Sequence, residues 1–198
     1  MDFTSQELIG GIAFLLGFIG HSFYVVSILQ NKTKPHLYTW LIWGILTGIA
    51  YAAQVYDNAG PGSWQMGISA FLCLMTAVMA LKWGEKDITR GDKIALIASL
   101  SAIVPWLLTK DPLGSVILIS IIDVVAFYPT FRKSWLKPQE ENLTTYNLAN
   151  LKLTLSLFAL NNVSLTTALY PAVVVGINTI FVIMCLIRRK QIAAAQTS

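Results

Sequence analysis

Apolar positions along this chain gather into seven runs, at about 8–29, 37–56, 63–82, 94–109, 112–131, 143–161 and 166–187. Each is about 20 residues long, enough at ~1.5 Å per residue to cross a hydrocarbon layer of ~30 Å as a helix. Charge, proline and glycine mark the gaps. Asn31-Lys32-Thr33-Lys34-Pro35 separates the first two runs, and Asp57-Asn58-Ala59-Gly60-Pro61-Gly62 predicts a turn before the third. Gly84 to Asp92 is the most charged stretch, Lys110-Asp111-Pro112 a tight turn, and Lys137 to Asn142 a polar loop. The sixth run is interrupted by Asn147, Asn150 and Lys152.

Composition narrows the class. Of 198 residues, 55% are hydrophobic and 12% charged, and the mean hydropathy is +0.62. Soluble domains carry about 25% charged residues, so the balance excludes a soluble enzyme and makes lipid the solvent. Seven spans consume roughly 140 residues, which makes residues 1–198 a single membrane domain with short loops. Cys73 and Cys185 lie inside apolar runs and form neither a disulfide framework nor a metal knuckle. Asp2 and Glu7 stand where a signal peptide would be basic, so the first run is expected to be a span.

The net charge of +4 suggests nucleic acid until its distribution is considered. Lys32 and Lys34 lie in the first loop; Lys82, Lys86, Arg90 and Lys93 surround the third. Arg132, Lys133 and Lys137 lie around the fifth, and Arg188, Arg189 and Lys190 follow the seventh run. Twelve of the 14 basic residues thus share one side of a seven-span topology. The positive-inside rule then predicts an outside N-terminus and a cytoplasmic C-terminus, in the plasma (inner) membrane. No nucleic-acid partner is needed to explain the charge.

Runs one to three and five to seven would begin on the same side, so a repeat between them is parallel. Phe23-Tyr24 corresponds to Phe127-Tyr128, Lys34-Pro35 to Lys137-Pro138, and Thr39-Trp40 to Thr145-Tyr146, at offsets of 104, 103 and 106 residues. The expected fold is all-α integral membrane: seven transmembrane helices, with three-helix repeats at 8–82 and 112–187 joined by a linker helix at 94–109. Parallel repeats place a solute site between the halves near the membrane midplane. In this plan, and in Tyr128-Pro129-Thr130-Phe131-Arg132-Lys133-Ser134, the chain resembles the SWEET and PQ-loop superfamily. Thr130 stands where that superfamily usually has Gln, and Val25-Val26 replaces Pro-Gln in the first repeat. The resemblance implies transport, with Pro35, Pro129 and Pro138 as gate hinges. It also implies paired asparagines on spans three and seven; Asn178 fits, but Leu72 stands opposite it, so sugar specificity is not expected.

Charged groups in lipid are costly and by default face a cavity or a partner. Asp123 and Lys152 lie about eight and nine residues from the inner ends of their runs, roughly 12–14 Å deep. His21 and Asn178 fall in the same layer, with Trp43 slightly nearer the inside. The layer reads as a solute site with Asp123 as the ligand-binding or proton-coupling carboxylate; the competing reading is a structural Asp123–Lys152 ion pair. The sixth run has two polar faces, Asn147/Asn150/Thr154 and Thr145/Lys152/Ser156, one for a cavity and one for a neighbouring helix. Trp40, Trp43, Thr47, Tyr51 and Gln54 form one stripe on the second run. Trp43 and Tyr51 are candidates to wall a pocket, and Trp40 suits the interfacial belt.

Gly44 and Gly48 suggest close helix approach, while Ser69, Cys73 and Thr76 share a face that suits the same cavity. No phosphate loop, metal cluster or nucleophile motif is present, and no cofactor is expected. The expected function is a secondary transporter or facilitator of a small polar solute. Substrate-binding candidates are Asp123, Asn178, Trp43, Tyr51, Asn147, Asn150, Lys152 and His21. Expected partners are the small-molecule solute, a coupling proton, the lipid bilayer and further copies of the chain in a homo-oligomer. The alternatives are a membrane-embedded cyclase or isomerase using Asp123 as acid, and a receptor or scaffold similar to the KDEL receptors.

Overall fold

The computed structural model describes residues 4–31, 34–84, 90–136, 138–140 and 143–197, and among these every regular element is helical. Eight α-helices follow one another: α1 Ser5–Leu29, α2 Leu37–Tyr56, α3 Trp64–Trp83, α4 Arg90–Ser101, α5 Val104–Thr109, α6 Leu113–Leu136, α7 Leu143–Phe158 and α8 Leu165–Thr197. Short 3₁₀ turns precede α3 and α7. Helix α1 starts on a capping box, in which the Thr4 side chain accepts from the Glu7 amide and the Glu7 carboxylate accepts from the Thr4 amide. Helix α8 runs about ten residues past the end of its apolar run because the Ala-rich tail favours helix and nothing there breaks it.

The predicted linker at 94–109 is two helices, not one. Pro105 sits in the first turn of α5. It has no N–H to continue the ladder, so a continuous helix is interrupted. The chain turns at Ala102 and Ile103 through i→i−3 bonds to Ser99 and Leu100. Lys110 then closes α5 in the left-handed conformation, at φ +60°.

Helix α3 packs between α1 and α2, and α8 packs between α6 and α7. The two three-helix groups meet along two seams, α1 against α7 and α2 against α6, with α8 also touching α2. Exchanging α1, α2, α3 for α6, α7, α8 maps one seam onto the other. The broken linker breaks this equivalence, since α4 lies across α2 and α6 and α5 packs on α6. Beneath it, Leu46, Ile49, Ala50, Ala53, Val116 and Ile119 form a buried apolar core with Ala102.

Side-chain size is distributed inside out along α1. Gly10, Ala13 and Gly17 are buried, whereas Leu8, Ile12, Leu15, Ile19 and Phe23 are exposed. Water would penalise that arrangement, but lipid does not, and helix interfaces in lipid select small residues. Three helical segments, Ser5–Leu29, Gly60–Trp83 and Leu165–Ala194, are long and apolar enough to cross a membrane. Lys93–Thr109 and Leu113–Phe127 are shorter apolar segments. The tryptophans, tyrosines and threonines of α2, and the asparagines and lysine of α7, lower the hydropathy of those two helices.

Of the glycine pair on α2, only Gly44 serves a close approach: a Cβ there would lie 2.6 Å from a Leu74 methyl of α3, whereas Gly48 faces open space. Two of the three proline hinge candidates lie outside the α-helices. Pro35 is buried and precedes α2, outside the helix, with its carbonyl against Gly84 at the end of α3. Pro138 begins a 3₁₀ turn, and its carbonyl accepts from Arg189 Nε and Nη2 at 3.0 and 2.9 Å. Pro129 lies within α6; its side chain is outside the described residues, as are Lys32, Lys86 and Lys137 entirely. A proline inside an apolar helix occurs at Pro171 of α8.

Candidate functional site

At one end of the molecule the loops α2–α3 and α7–α8 interlock. Asn58 and Gly60 adopt positive φ there, at +54° and +61°, which turns the chain sharply enough to bring the two loops together. The Asn161 amide donates to the Ala59 carbonyl at 2.9 Å, and Asn162 Nδ2 donates to the Asp57 carbonyl at 2.8 Å. Ser164 Oγ donates to the Asp57 carboxylate. A fourth bond explains Pro171. Without an N–H at Pro171, the Thr167 carbonyl has no partner within α8, and Gln54 Nε2 of α2 donates to it at 2.7 Å. These bonds join the two three-helix groups at this clasped end.

At the opposite end, each group carries its own aromatic cluster. Trp40 Nε1 donates to the Tyr24 hydroxyl at 3.3 Å, and Trp40 also stacks edge-on with His21 and Trp43, at centroid distances of 5.0 and 5.3 Å. The other group has its own cluster of Phe127, Phe131, Tyr146 and Phe181. Arg188 lies over the Trp135 ring at 4.6 Å and donates to its carbonyl.

Between these ends lies a cavity of about 290 Å³, lined from α1, α2, α3, α6, α7 and α8. Its floor, toward the clasp, holds Gln65 and Met66 from the first turn of α3 and Tyr170 from α8. Its rim holds Trp40, Phe127 and Tyr146. A groove of about 300 Å³ between α1 and α7 shares Gly17, His21, Trp40, Thr145, Ala149 and Lys152 with the cavity. Glycines make that seam, since a Cβ at Gly20 would already touch Leu148 at 3.4 Å.

Asp123, Asn178, Trp43, Lys152 and His21 all line the cavity, so five candidates from five helices converge. The other three do not line it. Tyr51 packs on Gly67 and borders a surface depression near the clasp. Asn147 is exposed, and Asn150 donates to Thr179 of α8 at 3.0 Å. The two faces of α7 are therefore divided: Thr145, Ala149 and Lys152 take the cavity and Asn150 takes the neighbouring helix.

Asp123 and Lys152 are not joined as an ion pair, since no Lys or Arg nitrogen lies within 4.0 Å of a carboxylate oxygen among the described residues. His21 Nε2 lies 2.8 Å from Thr76 Oγ1, whose own proton goes to the Leu72 carbonyl at 2.9 Å. Thr76 therefore accepts, and the Nε2–H tautomer follows. Leu72 lines the cavity beside Asn178, so the asparagine pair implied by the superfamily is absent there.

Gln65 escapes a reading by periodicity. It is 1% exposed, donates to Ser69 Oγ at 2.8 Å, and leaves its amide oxygen unpartnered in the cavity wall. Buried polar atoms are nearly always paired, and this oxygen is an exception, as are Gln54 Oε1 and Asn150 Oδ1. The available signal was a glutamine at the start of an apolar run. Trp40 lines the cavity as well, a role beyond an interfacial belt. No cluster of three metal-ligating side chains occurs among the described residues. No family model, curated protein or solved structure matches this chain.

Proposed function

We propose that the protein is a seven-span membrane transporter or facilitator that moves a small polar solute by rocking two three-helix bundles around the central cavity. The observation that carries this reading is the cavity itself, which holds Asp123, Lys152, Asn178 and Gln65 between helices of both groups. Its volume equals about ten waters at ~30 Å³ each, the size of a small metabolite. The exchangeable packing of α1–α3 and α6–α8 supports parallel repeats, and α4–α5 acts as the linker. The distribution of basic residues supports a reading with the clasp outside and the α1–α7 groove toward the cytoplasm, in which this conformation is closed outward and reached from within. The clasp is then the outer gate, and the opposed aromatic rims close the inner one.

Reconstitution in liposomes with a panel of sugars, amino acids, nucleosides and vitamins tests the reading by solute uptake and exchange. Asp123→Asn should reduce uptake to background while the melting temperature stays within a few degrees. Unchanged uptake in that variant removes Asp123 from the mechanism, and no uptake of any solute removes transport. The aromatic wall of Trp40, Trp43, Phe127 and Tyr146 near Asp123 favours one second reading, a cyclase or isomerase acting on an isoprenoid chain. Product formation from a prenyl substrate without uptake of any solute would select it.

A further inference from the structure

The cavity carries two charges with no charged partner among the described residues. Asp123 projects from α6, the helix of the seam sealed against α2; Lys152 projects from α7, the helix of the seam that opens against α1. Both are only half-buried, both line the same space, and neither has an oppositely charged partner within 4.0 Å among the described residues. A lone carboxylate or ammonium away from bulk water is expensive, and one pair across a narrow cavity would shorten to contact if the protein were built to hold it closed. The helices keep them apart on opposite seams.

The uncharged neighbours are graded in the same sense. Lys152 and Gln65 both reach Gly17: a Cβ there would lie 3.8 Å from Lys152 Cδ and 3.9 Å from Gln65 Nε2. Gln65 Nε2 uses one N–H on Ser69 Oγ, at 2.8 Å, and keeps a second. With that second N–H, Lys152 and Gln65 form a two-donor corner for an anion. The lining also holds the carboxylate of Asp123 from α6 and the Asn178 amide from α8.

We propose that the solute is a zwitterion of about ten heavy atoms or fewer, with its anionic group against Lys152 and Gln65 and its cationic group against Asp123. The inference rests on the transport reading and narrows it to a substrate class. A bound zwitterion neutralises both walls at once, whereas a singly charged solute leaves the opposite charge bare. Occupancy and rocking are thereby linked, because the groups come from helices on different seams.

The test uses the full-length protein in detergent, with binding read by calorimetry. Glycine, β-alanine and γ-aminobutyrate present the same two charges at growing separation; n-propylamine and propionate carry one charge each, and glycerol none. The best zwitterion should bind at least tenfold more tightly than either singly charged probe, and Asp123→Asn and Lys152→Gln should each weaken it at least tenfold. If a variant does not fold, the comparison among probes on the wild-type protein decides alone. Equal affinity for a singly charged or neutral probe, undiminished zwitterion binding in either folded variant, or no zwitterion binding overturns the proposal. Uptake of glycerol or another neutral solute in liposomes, without zwitterion binding, overturns it while leaving transport intact. Absence of both binding and uptake removes the transport reading too.

Discussion

The two seams between the helix groups are built from equivalent helices and yet differ in kind. Between α2 and α6 lies a dry apolar core, roofed by the broken linker. Between α1 and α7 lies a glycine-lined groove that leads into the cavity and ends on Lys152. Two helix groups packed in the same way therefore need not meet along two equal seams. The α4–α5 segment covers one seam and leaves the other bare; in the proposed transport the covered seam is the pivot and the bare one the mouth.

The sharpest way to break this contrast is to cut the sealed seam. Ile119 is fully buried there, and Ile119→Ala should destabilise by about 2 kcal/mol, at the low end of core truncations because lipid removes much of the hydrophobic transfer term. The same truncation at Leu148 on the open seam should cost less than about 0.5 kcal/mol. Unfolding in a mixed-detergent series measures both, and equal losses would contradict a pivot and a mouth.

Plugging the mouth comes next. A Cβ at Gly17 meets its neighbours at ordinary contact distances, from 3.6 Å to Ile68 outward, so Gly17→Ala should fold and transport normally. Gly17→Leu should lower uptake at least tenfold, equivalent to ~1.4 kcal/mol, and also lower the melting temperature, since the extra carbons overpack a buried position. Normal uptake in the leucine variant would move the entrance elsewhere.

Loosening the clasp should have a smaller effect. Ser164→Ala removes the bond to Asp57 across the clasp, worth about 0.5–1.5 kcal/mol, together with the one that Ser164 Oγ accepts from the Thr167 amide at the start of α8. The population open at the clasp should rise by roughly two- to tenfold. Cys73 lines the cavity and Cys185 is buried, so labelling of Cys73 by an impermeant thiol reagent applied to the clasp side reads that shift directly. Unaltered labelling would show that the clasp is not a gate. The smallest effect is expected at Gly48, where no atom opposes a Cβ. Gly48→Ala should gain at most ~1 kcal/mol from helix propensity, while Gly44→Ala should lose stability through Leu74. Equal melting temperatures for the two would remove the distinction between them.

Much of the site could be read in advance because cost and depth are local properties. Asp123, Lys152, His21 and Asn178 sit in apolar runs at matching distances from the same edge, and a charge in lipid has to face something polar. Tyr51 shows the limit of that reasoning. It shares a stripe with Trp43, but eight residues of rise carry it out of the cavity layer and onto Gly67. Gln65 and Pro171 show another limit. An unpartnered amide and a missing helix bond acquire meaning only from the helix opposite, as Gln54 does for the Thr167 carbonyl.

The sequence by itself determined the helical runs, the membrane character that three of them carry by length and apolarity, and the polar layer in which the cavity lies. These follow from hydropathy and rise per residue, which a chain carries before it folds. Tertiary packing alone decided that Asp123 and Lys152 stand apart instead of pairing, that Asn150 turns to α8 while Lys152 turns inward, and that one seam is sealed and the other open. Those outcomes depend on which helices become neighbours, and a helix presents all its faces equally until a neighbour covers one of them.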